Sequence, residues 1–94
     1  MAITVRFVGA FRGVSKKNKL TLKFKKAVPL KEAIKKITEE MPKLKRILID
    51  PEFEDPRPNT LIVVNGKEIS VLNGLETMLK DGDEVIFVPI IHGG

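Results

Sequence analysis

Few residues in this sequence could take part in covalent chemistry. Its 94 residues include no cysteine and one histidine, His92, so a thiol nucleophile, a disulfide framework and the usual ligand sets for zinc or iron–sulfur centres are excluded. What stands out is the ending, Pro89-Ile90-Ile91-His92-Gly93-Gly94. Two successive glycines add no packing and lose entropy when ordered, which fits a frayed end. The same residues also fit a thread. Residues 90–94 read as a flexible tail reaching at most about 17 Å, enough to enter a partner's cleft while the domain docks outside. Glycines have no Cβ and can pass a narrow channel.

Such a tail needs a rigid holder. Ile3, Val5 and Phe7 recur at period two, and Leu20, Leu22 and Phe24 repeat the pattern after a Gly/Lys/Asn-rich connection over residues 13–19, which predicts a hairpin. After Pro29, Leu30, Ile34, Ile37 and Met41 fall at i, i+4, i+7 and i+11 among Lys and Glu, an amphipathic helix with Pro29 in its first turn and Pro42 at its end. Leu44, Ile47 and Leu48 supply a further short turn. Residues 50–59, with three prolines and four acidic side chains, form a surface loop. Thr60 to Val64 is a buried-type strand ending at the turn signal Asn65-Gly66, with a short return strand at Lys67 to Ile69. Leu72, Leu75 and Leu79 are expected to line the inside of a compact connection, and Asp81-Gly82-Asp83 turns into the last strand, Glu84 to Pro89. One helix covers one face of such a sheet, so the chain reads as a single two-layer α+β domain over residues 1–94.

The net charge of +5 divides unevenly, with 14 basic and 3 acidic residues up to position 49, then 3 and 9. Nucleic-acid binding is not the expected role: most lysines alternate with apolar residues, as on the wet side of an edge strand, and the only aromatics are five phenylalanines. Nothing approaches the ~20 apolar residues of a membrane span, and the start is too short and charged for a signal peptide, so the expected location is the cytoplasm. Alternation also leaves a surplus. If Val85 and Phe87 face the helix, Ile86 and Val88 lie on the uncovered face, and two of Leu61, Ile62, Val63 and Val64 join them. A wet cluster of this kind forgoes about 1.5 to 3 kcal/mol per side chain and is better explained as a protein contact surface.

Residues 63–94, VVNGKEISVLNGLETMLKDGDEVIFVPIIHGG, together with the opening VRFVGAFRGV, resemble the ubiquitin-like sulfur carriers, most closely the MoaD-type small subunit of molybdopterin synthase. The shared features are the V-N-G turn, the L-x-G-L-x-T-x-L-K-D-G-D-E-V connection, a strand with proline near its end, and the terminal Gly-Gly. The resemblance implies a β-grasp fold, a mixed sheet of about five strands packed on one main helix. It also implies a mechanism. A C-terminal carboxylate, with a pKa of about 3.3 to 3.7, is a poor electrophile at neutral pH and must be activated. In this family an E1-like enzyme, which itself binds the ATP and magnesium, adenylates the terminal glycine, and a sulfur donor converts the adenylate to a thiocarboxylate. The carrier binds no cofactor or metal and is not a catalyst alone; its sulfur acts inside a partner, here a MoaE-type large subunit. Carried over, Gly94 is the activated residue, Gly93 and His92 thread the channel, and Ile86, Val88, Ile90 and Ile91 form the docking surface. The His-Gly-Gly ending also looks like that of the ubiquitin-related modifier, which thiolates transfer RNA and conjugates to proteins. A modifier joined through Gly94 to target lysines is therefore the second reading.

Overall fold

The computed structural model describes residues 1–91. The chain runs β1 (Ala2–Phe7), α1 (Gly9–Ser15), β2 (Lys19–Lys23), β3 (Val28–Pro29), α2 (Leu30–Glu40), α3 (Pro42–Leu48), β4 (Thr60–Val64), β5 (Lys67–Glu68), two 3-10 turns at Ile69–Val71 and Gly74–Glu76, β6 (Met78–Leu79) and β7 (Glu84–Pro89). The main sheet has the order β2-β1-β7-β4-β5, with β1 and β7 parallel and the other neighbours antiparallel. β3 and β6 form a separate two-stranded ribbon.

Period-two alternation sets the faces. Ile3, Val5 and Phe7 of β1 and Val85 and Phe87 of β7 are buried under the helices, and Phe7 and Phe87 stack with ring centroids 6.1 Å apart. Against them α2 turns Leu30, Ala33, Ile34 and Ile37, the stripe expected from its spacing, and α3 adds Leu44 and Leu48. Mixed pairing around a parallel centre follows from the connections: β1 and β2 are near in sequence and pair antiparallel, whereas β7 arrives beside β1 after the whole helical crossover.

Three local expectations change. The β1–β2 link is not a plain Gly/Lys/Asn-rich connection: it carries α1, a helix of poor intrinsic propensity with two glycines, held by Phe11, which is 1% exposed. Tertiary burial of one aromatic overrides local preference there. Pro29 caps α2 from outside in extended geometry (φ −69°, ψ 152°) and pairs with Met78. Leu72 is 37% exposed while Leu79 is fully buried and Leu75 half-buried, because two separate 3-10 turns re-aim the chain and no single face runs through all three leucines.

Candidate functional site

The open face of the sheet is built by β7 and β4. Their register sets Leu61 opposite Val88 and Val63 opposite Ile86, so four apolar side chains form a block with no helix over it. Ile86, Val63 and Val88 are half-buried by one another and Leu61 is exposed. Polar groups bound the block. Arg6 lies opposite Ile86 and its Nε donates a 2.7 Å bond to Glu84, while Glu68 sits opposite Val63. Val8, 38% exposed, continues the outer alternation of β1 in extended geometry (φ −127°, ψ 162°) and widens the apolar area.

The strand that carries the tail is clamped at both ends. At its start, Asn65 and Gly66 adopt φ of 49° and 82°, the doubly left-handed turn that Asn-Gly accommodates. The Asn65 amide group donates to Asp83 at 2.9 Å, and its side-chain oxygen accepts from the Glu84 N–H at 2.9 Å. Asp83 also accepts from the Lys80 N–H at 2.7 Å. At the far end Pro89 pairs with Thr60, whose hydroxyl donates to the Leu48 carbonyl at 3.0 Å. The Ile90 N–H donates to the Asn59 carbonyl at 2.9 Å, so hydrogen bonding extends one residue into the segment expected to be tail. Gly9 closes in from α1: a Cβ there would stand 3.1 Å from the Pro89 ring.

Ile90 is 41% exposed and Ile91 91% exposed, placed where the fixed strand gives out. Ile86, Val88, Ile90 and Ile91 thus follow one another along β7 and out of it. The expected roles of His92, Gly93 and Gly94 fall outside the described residues. Leu61 and Val63 are the two of the β4 run that join the uncovered face, and Val8 and Gly9 join the site without a signal in the spacing. The four-residue apolar run of β4 hides its own phase, and only pairing with β7 decides which two face outward. Among the described residues no group of three or more His, Asp or Glu is placed to hold a metal ion, and no helix is long and apolar enough to cross a membrane.

The family model described as the ThiS family matches residues 5–94. The chain belongs to the ThiS family. It is 28% identical to Small archaeal modifier protein 3 of Haloferax volcanii over 94 residues, the full length of both. A stretch of 38 residues is 42% identical to Ubiquitin-related modifier 1 of Schizosaccharomyces pombe, spanning 40% of this chain and only 39% of that protein. The solution structure of small archaeal modifier protein 1 from Methanosarcina acetivorans superposes with a TM-score of 0.84 at 28% identity, covering 99% of this chain and 96% of that one. The resemblance to ubiquitin-like sulfur carriers is borne out, and with it the β-grasp architecture: a mixed five-stranded sheet gripping α2, to which α1 and α3 are added.

Proposed function

We propose that this protein is a carrier whose working group is the carboxyl of Gly94. A carboxylate oxygen attacks the α-phosphorus of ATP on an E1-like enzyme, which holds the ATP and magnesium, and pyrophosphate leaves. Hydrosulfide, a sulfur donor at the sulfide oxidation level, then attacks the acyl carbon, AMP leaves with the bonding electron pair and the sulfur gives up its proton to water, leaving the thiocarboxylate. The domain supplies no acid or base to either step; it docks and delivers. Ile86, Val88, Leu61 and Val63 bind the partner, Ile90 and Ile91 line the approach, and His92 and Gly93 enter the channel.

The observation that supports this reading is the arrangement at the end of β7. Pro89 and the Ile90 N–H are fixed to the strand beside them, Ile91 is 91% exposed, and the uncovered apolar block lies on the same strand. A rigid base, an apolar dock and an exposed exit are what presenting a terminal group inside a partner requires.

The acceptor we propose is a pterin precursor in molybdopterin or tungstopterin synthesis, held by a MoaE-type large subunit, on the strength of the Leu-x-Gly connection and the proline near the end of the last strand. A second reading, a modifier joined through Gly94 to target lysines or a carrier for transfer RNA thiolation, is favoured by the full-length likeness to an archaeal modifier protein. Co-expression with the cognate E1-like enzyme, followed by intact-mass and peptide mass spectrometry, separates them. Oxygen-to-sulfur exchange on the free chain, with sulfur transferred to a pterin precursor when the large subunit is added, supports the first. Isopeptide links from Gly94 to lysines of other proteins support the second, and neither change contradicts both.

A further inference from the structure

A groove of about 670 Å³ lies on the helical layer, away from the sheet's open face, between α2, α3 and the loop after α3. Its floor includes Ile34, Ile49 and Leu75, and its rim carries Lys35, Lys45 and Arg46. Lys31, also on the rim, is engaged by Glu76 at 2.5 Å, but among the described residues no salt bridge engages the other three cations. An apolar floor inside a rim of four cations and one carboxylate, Glu54, favours an apolar anchor flanked by carboxylates.

The chain itself displays such an anchor. Glu52-Phe53-Glu54 crowns the loop, and the Phe53 side chain is 68% exposed. The crown is held in shape: the Glu52 and Phe53 N–H groups donate to the Asp50 carboxylate at 2.9 and 3.0 Å, and the Asp50 N–H donates to the Asp55 carbonyl at 2.9 Å. Little ordering entropy would then be lost on docking. Glu54 and Pro51 of the same loop border the groove, so the donating and receiving surfaces lie side by side, as a two-fold contact between identical chains demands.

We propose that the groove receives Phe53 from a second copy of this chain, with the flanking carboxylates set against Lys35, Lys45 and Arg46, giving a weak, salt-sensitive two-fold dimer. The sheet's apolar face takes no part in it, so the pairing is independent of the carrier reading.

Amide NMR spectra of the full chain, diluted from about 1 mM to about 50 µM, test this in the range expected for a small interface. The expected result is concentration-dependent shifts at Ile34, Thr38 and Ile49 together with residues 52–54, diminished by about 0.5 M salt. Phe53→Ser, and separately Lys45→Glu with Arg46→Glu, should each abolish the dependence; all three positions are exposed, so the spectra should stay dispersed. Mixing the two variants restores one of the two contacts, and shifts should reappear in the groove of labelled Phe53→Ser. Spectra independent of concentration, or shifts confined to Ile86 and Val88, would overturn the proposal. So would a chain that stays monomeric while a synthetic peptide of residues 50–55 titrates the groove, since the occupant would then be another protein.

Discussion

Gly9 is where one residue's backbone governs the site. It adopts φ 56° and approaches the Pro89 ring so closely that an added Cβ would stand 3.1 Å from its Cγ. Gly9→Ala therefore combines left-handed strain of about 1 to 2 kcal/mol with a push on the end of β7. The expected outcome is a lower melting temperature and altered amide shifts at Pro89's neighbours Ile90 and Ile91, checked by calorimetry and NMR. Gly93 and Gly94 are opposite in kind. They carry no side chain to bury, so deleting them should leave the melting temperature nearly unchanged while removing all activation by the E1-like enzyme. A large loss of stability on deletion would mean that the ending is structural.

Within β7 the same substitution should have two different results depending on face. Val85 is fully buried beneath the helices, and Val85→Asp strands a carboxylate in the core, with an expected loss above about 4 kcal/mol. Val88 faces outward against Leu61, so Val88→Asp should lower stability by less than about 1.5 kcal/mol yet weaken partner binding at least tenfold. Denaturant titration beside a binding isotherm checks both. The loop after α3 holds one ion pair with a pH signature. Arg57, bonded to the Asp55 carboxylate at 2.6 Å, holds the Asp55 pKa below its ordinary value of 3.8. That stabilisation is present above the unfolded-state value and is lost as pH falls through the lower folded one. Asp55→Asn should thus flatten the acid limb of a melting curve series run from about pH 6 to about pH 2. The effect should be small, because the Arg57 side chain is 57% exposed.

Across the whole molecule, what was legible in the sequence is what periodicity controls. The stripe of α2, the inward Val85 and Phe87, the Asn65-Gly66 turn and the outward Ile86 and Val88 all follow from spacing alone. Features set by distant partners were not legible. α1 exists because Phe11 finds the core, the outward phase of β4 is fixed only by β7, and Gly9 matters only because Pro89 arrives beside it. The charge imbalance acquires a place as well: Lys35, Lys45 and Arg46 from the basic half and Glu54 from the acidic half line one groove. The β-grasp thus offers two surfaces on opposite layers, one apolar beside the exit of β7 and one charged among the helices. The central claim concerns only the first, and the intact mass of the chain after incubation with its E1-like enzyme, ATP, magnesium and a sulfur donor tests it most directly. The account predicts one oxygen-to-sulfur exchange located at Gly94 and lost when Gly94 is removed or its carboxyl is amidated. A chain amidated at Gly94 that still delivered sulfur or modified its targets would contradict it.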